Sequence, residues 1–155
     1  MKIIRYRGGV VSFRIPQHWL ELYELDEGGE FHPGTDDGRV LRIRVTTAQA
    51  SHAVTPETTA NLVRKLHPDT PFRMLRPGDL CTRRTHSFRE DDEDLILHEW
   101  RVYNTVPPDH LRVVLFTFTI PADLDTEPEI LDDIETLDRE IMNATFATRI
   151  GETPL

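Results

Sequence analysis

Seven histidines, one cysteine and a run of acidic side chains are the residues of this 155-residue chain whose types suit metal binding or acid–base and thiol chemistry. Their spacing argues against each. No two histidines stand as His-x-His or His-x-x-x-His, and none pairs with the cysteine at ligand spacing. A site would have to be assembled across strands from His18, His32, His86 and His98, and ordinary surface histidines are the simpler reading. Cys81 has His86 five residues on, in a segment that reads as a strand. Alternation places residues 81 and 86 on opposite faces, so the two fail as thiolate and base, and Cys81 is expected to be structural.

The run Glu90-Asp91-Asp92-Glu93-Asp94 lacks the spaced ligands and glycine of a calcium loop and reads as a solvated hairpin tip. Ser12, Ser51 and Ser87 are in no nucleophile-elbow setting, and no glycine-rich run opens a helix to cradle phosphate. The sequence therefore predicts no catalytic residue, no metal ligand and no cofactor. Two features remain for binding. Arg42 and Arg44, extended by Arg14, give a basic strand face, which Glu21 or Glu30 on a neighbouring strand would neutralise. Trp19, Tyr23 and Phe31 form an aromatic cluster, which is either core or an interface hot spot. Trp19, Tyr23, Phe31, Arg42 and Arg44 are the candidate partner-binding residues.

The elements that must position these residues are short strands broken by turns. Val10 to Ile15 alternates apolar and polar residues until Pro16, and Val40 to Thr47 alternates Leu41, Ile43 and Val45 against Arg42, Arg44 and Thr46. Pro16 to Leu25 fits one helical turn followed by a strand. Asp26-Glu27-Gly28-Gly29 and Thr35-Asp36-Asp37-Gly38 have turn chemistry. Further strands are expected at 72–75, 80–89, 95–105 and 111–120, the last apolar on both faces as in the middle of a covered sheet. A helix is announced by Thr55-Pro56-Glu57, carries Ala60, Val63 and Leu66 on its apolar stripe and stops before Pro68. A second starts at a capping box of Thr126 and Glu129 and aligns Ile130, Ile134, Leu137 and Ile141. Together these predict an α+β fold, with a six- or seven-stranded, mostly antiparallel sheet sandwiched by a middle helix and a C-terminal helix. Hairpin-length connectors argue against a parallel, doubly wound sheet and its nucleotide crevice.

Residues 1–155 fit one domain. A net charge of −9 argues against a general nucleic-acid partner. Sixteen arginines stand beside only two lysines, Lys2 and Lys65. A single cysteine excludes an intrachain disulfide, no segment is apolar enough for a signal peptide or membrane span, and a cytoplasmic location is expected.

Phe13-Arg14-Ile15-Pro16-Gln17-His18-Trp19 is similar to the strand-then-Pro-x-x-Trp opening of the PsbP-like superfamily, which takes in PsbP, the Ran-binding Mog protein and the bacterial DcrB-type domains. Val113 to Pro121 resembles the central strand of that family, and the acidic segment Ile130 to Phe146 resembles its closing helix. The resemblance implies binding rather than chemistry, since the superfamily includes a photosystem subunit, a GTPase-interacting protein, envelope lipoproteins and acidic chaperones of type VI secretion effectors. The turn-rich stretch Glu27 to Gly38 and the lack of a lipoprotein cysteine depart from the envelope-lipoprotein pattern. The expected function is a non-enzymatic adaptor or chaperone-like domain, linked to a bacterial secretion system, with a protein partner and a possible homodimer. The alternatives are a small-molecule or lipid-binding domain with an apolar cavity, or an enzyme of unrecognised type.

Overall fold

Leu41 and Ile43 point to one side of their strand and Arg42 and Arg44 to the other, and that alternation orients the whole architecture. The computed structural model describes residues 1–24 and 28–151. Seven antiparallel strands form the main sheet in the order β3-β4-β5-β9-β8-β7-β6: β3 Leu20–Glu24, β4 Gly28–His32, β5 Val40–Gln49, β6 Phe72–Arg76, β7 Asp79–Glu90, β8 Glu93–Val106 and β9 His110–Pro121. A second, three-stranded sheet has the order β1-β2-β10, from β1 Lys2–Tyr6, β2 Val11–Ile15 and β10 Thr145–Phe146. Two helices complete the α+β fold, α1 Pro56–Leu66 and α2 Pro128–Met142.

The inner face of the large sheet carries the main core. Ile43, Phe116 and Trp100 share one register row, and Val114 and Val102 share the next. The small sheet and α2 close over them. Phe13 of β2 makes edge-on contacts with Phe31 at 5.6 Å and Phe116 at 5.1 Å, so one ring joins both sheets. From α2, Ile130, Leu137 and Ile141 are buried as their spacing predicts, and Ile134 packs against the same core. Buried Glu140 on the same helix accepts two bonds from Arg14, at 2.8 and 3.1 Å. Arg14 thus clamps α2 to the small sheet and does not extend the Arg42 and Arg44 face.

The helix starts differ in how well their signals hold. Thr55 caps α1 as expected, and Thr58 returns a bond to the Thr55 amide to complete a capping box. The box expected from Thr126 and Glu129 does not form. Pro128, whose fixed φ suits the first helical position, starts α2 after an N-cap at Glu127 that makes no side-chain bond. Glu129 binds the buried Arg39 instead, at 3.2 Å. In α1, Val63 is buried and Ala60 partly so, but Leu66 is exposed. Thr59 takes its place under the helix, bonded to Thr105 at 2.7 Å.

The sheet hairpins follow the turn chemistry. Asp91 and Asp92 both have positive φ between the paired Glu90 and Glu93, so the acidic run is a two-residue hairpin tip. The turn expected at Asp26-Glu27 lies outside the described residues, though β3 and β4 pair as the hairpin requires. Gly28 has φ +92°, and a side chain there would collide with the Ile43 carbonyl oxygen. Beyond α2, the closing segment does not remain helical to Phe146. It turns at Asn143 and adds β10 to the small sheet.

Trp19 is buried, lying nearly parallel to the Phe118 ring with centroids 6.0 Å apart, whereas Tyr23 stands exposed on the edge strand β3. Trp19→Ala is therefore expected to cost about 3–5 kcal/mol in urea unfolding, by loss of contacts and creation of a cavity. Tyr23→Ala should cost under about 1 kcal/mol. Equal costs would contradict this division.

Candidate functional site

Helix α1 covers only part of the outer face of the large sheet. Its Val63 packs with Leu80 and Tyr103, and Ala60, Phe72, Leu111 and Val113 surround them. Beyond its footprint lie two successive register rows. The first runs Arg44, Leu115, Arg101, Thr82 across β5, β9, β8 and β7, and the second runs Arg42, Thr117, Glu99, Arg84. Between α1 and the end of β5 a groove of about 480 Å³ opens, lined mainly by apolar surface from Ala48, Val54, Leu62 and Leu111, with Thr58 and His52 at its sides.

Arg42 and Arg44 thus face outward as their alternation predicts. Arg42 is half-exposed and donates to Glu30, its cross-strand neighbour, at 3.0 Å. Glu21, the other expected partner, instead pairs with Lys2 at 2.9 Å and accepts from the Tyr23 hydroxyl at 2.6 Å. Partial desolvation of the side chain and its bond to Glu21 raise the Tyr23 pKa. Arg44 makes no ion pair among the described residues. The aromatic candidates divide. Trp19 and Phe31 are core, and of the three only Tyr23, edge-on to Phe31 at 5.9 Å, reaches the surface. Burial removes Trp19 and Phe31 from any contact surface.

Arg84 and Arg101 complete the basic face with Arg42 and Arg44 and were not visible as a group in the sequence. They lie on different strands, and only the registers of β7 with β8 and β8 with β9 bring them beside β5. Arg101 donates weakly to buried Glu99 at 3.4 Å, and Arg84 makes no ion pair among the described residues. Glu99 Oε2, Arg101 Nε and Thr82 Oγ1 are buried polar atoms without a hydrogen-bond partner among the described residues. At the end of α1, His67 Nε2 lies 2.6 Å from the Tyr103 hydroxyl. Its own burial and the positive charges of Arg101 and Arg84 hold the His67 pKa below the usual histidine value.

The groups with chemical potential elsewhere are tied into packing. Cys81 and His86 do lie on opposite faces of β7, and burial pushes the Cys81 thiol up to about 12. His98 is buried between Arg83, 2.9 Å from Nδ1, and Asp125, 3.4 Å from Nε2. A guanidinium can only donate, so Nδ1 accepts and Nε2 carries the proton toward Asp125. Burial and Arg83 lower the His98 pKa, leaving a neutral ring with both nitrogens occupied. Among the described residues no three His, Cys, Asp or Glu side chains converge as metal ligands would. His18, His32, His86 and His98 do not assemble.

Two pH responses follow. His67 and His98 both have folded pKa values below that of an ordinary histidine, so around and below about pH 6.5 the unfolded chain binds protons that the folded chain does not. Stability is then complete above about pH 7.5 and declines as the pH falls through about 6.5. The double variant His67→Asn/His98→Asn should flatten the urea midpoint between about pH 7.5 and 5.5, and an unchanged slope would place its origin elsewhere. Cys81 should resist a thiol reagent at about pH 8 in the native state and react at once in denaturant.

No protein-family model matches the sequence, and neither does any curated protein. The fold does match solved structures. A protein of Bacteroides thetaiotaomicron VPI-5482 superposes with a TM-score of 0.61 at 17% identity, covering 97% of this chain, which spans half of that protein's length. LpqN, a Mycobacterium tuberculosis protein involved in cell envelope biogenesis, superposes with a TM-score of 0.60 at 12% identity over 88% of this chain and 83% of its own. Cyanobacterial PsbP from Synechocystis sp. PCC 6803 aligns over 89% of this chain and 87% of its own, at 11% identity and a lower TM-score of 0.40. At these identities the likeness to the first two is one of fold.

Proposed function

We propose that this chain is a non-catalytic protein-binding domain, an adaptor or chaperone-like module that holds a partner segment on the outer face of its large sheet beside α1. The observation that carries this reading is the apolar groove of about 480 Å³ between α1 and β5, whose Ala48 and Leu111 row lies on the same sheet face as Arg44, with the Thr46 and Val113 row between them. An enclosed cavity would suit a small ligand. An open groove bordered by a strand and a helix suits a stretch of polypeptide. The PsbP-like assignment and a role beside a bacterial secretion system belong to this proposal. They draw support from the Phe13 to Trp19 opening and from the element order. A cytoplasmic location belongs to it too, as does a homodimer, for which exposed Leu20, Leu22 and Tyr23 on edge strand β3 offer a contact.

The groove's volume also falls within the range of small-molecule sites, so a lipid or other apolar ligand is the second reading. One experiment separates the two. Tagged wild-type chain and Ala48→Glu, a change at an exposed position lining the groove, are purified from the native host under mild cross-linking. Wild type is expected to retain a stoichiometric protein partner that Ala48→Glu loses while keeping its circular dichroism spectrum. A partner retained equally by both would remove the groove from the binding site. A co-purifying lipid seen by native mass spectrometry, without protein, would favour the second reading.

A further inference from the structure

Four arginines, Arg42, Arg44, Arg84 and Arg101, stand on one uncovered half of a sheet face in a chain of net charge −9. Neighbouring strands are about 4.8 Å apart and successive side chains on one face about 7 Å apart. The four side chains therefore spring from a patch of roughly 15 by 7 Å, taking three strand spacings by one such step. Among the described residues, Glu24 and Glu30 border the patch on the β4 side and Glu99 lies beneath it. Arg42 and Arg101 have one carboxylate each, while Arg44 and Arg84 have none among the described residues. The surface between them is indented. A hollow of about 200 Å³ lies between Arg42 and Arg44 over Leu115 and Thr117, and another of about 270 Å³ lies on the side of Gly28 and Glu30. Beneath the patch, Glu99 is 93% buried by its 7% exposure and keeps Oε2 without a partner among the described residues.

We infer that this half-face binds an acidic segment of a protein partner, whose carboxylates are held by Arg44 and Arg84 and whose apolar side chains enter the groove beside α1. The inference rests on the protein-binding reading above and adds the partner's chemistry. A guanidinium fork pairs with a carboxylate through two parallel bonds, and arginine suits such planar recognition better than lysine. Several features favour carboxylates over the phosphates of a nucleic acid. A chain carrying −9 repels a long polyanion before contact, whereas a short acidic segment meets mainly the local positive field. Between the arginines the surface is Leu115 and Thr117, and the rings at the margin of the same face are engaged, Tyr103 buried beneath α1 and Phe72 packed against its cluster with Arg64 over it. The apolar groove lies on the same sheet face, separated from the Arg44 row by one register row (Thr46 and Val113), so an extended amphipathic peptide can reach both.

The test is peptide selection from a random library on the full chain, comparing wild type with Arg44→Glu/Arg84→Glu. Both positions are exposed on the sheet, and a circular dichroism melt confirms that the variant folds. Wild type should enrich peptides that combine aspartate or glutamate with leucine or isoleucine. The reversed variant should bind those peptides at least about tenfold more weakly and select lysine- or arginine-bearing ones instead. Affinity of a selected acidic peptide should fall between about 50 and 300 mM salt for wild type only. Peptides without acidic bias, or acidic peptides indifferent to the reversal, would overturn the inference. If Ala48→Glu still abolished binding of those peptides, the protein-binding reading would survive. Selection of nothing above an unrelated control protein would overturn both. A short single-stranded oligonucleotide that bound near physiological salt and was released by the reversal would transfer the site to phosphate. Self-association abolished by the reversal would assign the patch to a second copy of the chain.

Discussion

Covering a sheet takes more width than one helix has, and that geometric constraint shapes this molecule. Seven strands at about 4.8 Å spacing span roughly 30 Å, while a helix with its side chains is about 10 Å across. The inner face meets the requirement with two elements side by side, α2 and the β1-β2-β10 sheet, joined through Phe13. Among the described residues the one helix on the outer face is the eleven-residue α1, whose buried contacts end at Val63, Thr59 and their neighbours. Everything beyond that footprint must be compatible with solvent or with a partner. The sheet there carries arginines and threonines in place of the Phe, Trp and Val of the inner side.

The inner layer is fastened by charge as well as by apolar packing. Buried Arg39 gathers Asp37, Asp133 and Glu129 at 2.8 to 3.2 Å, binding the start of α2 to the chain entering β5. Midway along the helix, Asp138 accepts from Arg73 at 2.6 Å and from the Trp100 indole at 2.9 Å. Near its end Glu140 holds Arg14. The acidic residues of α2 therefore do more than solubilise a surface helix. Arg112 serves the segment that follows, donating from one nitrogen to Asn104 and to the Ala147 carbonyl, both at 2.8 Å. Asn104 in turn donates to Asp79 at 2.6 Å, and Arg76 joins Asp79 to the Ala144 carbonyl.

Much of this was legible in the sequence wherever local chemistry decides. Thr55-Pro56 starts α1, the spacing of Ile130, Leu137 and Ile141 buries one side of α2, and the alternation of β5 sends Arg42 and Arg44 outward. Elements that exist only through their pairing were not legible. β1 has Ile4 and Tyr6 buried, but its strand exists through pairing with β2, and β10 is only two residues long. Capping at Thr126 competes with Pro128, and the proline's restricted backbone prevails while Arg39 draws Glu129 away. An aromatic cluster could be read from Trp19, Tyr23 and Phe31, but its split between core and edge depends on Phe118 and Phe13, about a hundred residues from it on one side and before it on the other. The basic face was half legible. Arg42 and Arg44 share a strand, whereas Arg84 and Arg101 join them only through strand register.

The abundance of arginine over lysine carries no function by itself, and the structure separates its uses by how far each guanidinium is satisfied. Arg39, Arg73 and Arg14 are held by carboxylates across element boundaries, and Arg112, whose buried Nε has no partner among the described residues, by the Asn104 amide oxygen and two carbonyls. Such fixed forks lose little further freedom, which makes arginine the better cross-link where two buried elements meet. On the outer face the same residue type is left with donors to spare. Arg42 and Arg101 each keep one carboxylate, which holds them in place without saturating five N–H groups, and Arg44 and Arg84 keep none among the described residues. Leaving four cations adjacent costs stability through mutual repulsion, and sheet packing gains nothing from it. Such a grouping on the half of the sheet that α1 leaves bare is what the proposed acidic partner segment would neutralise.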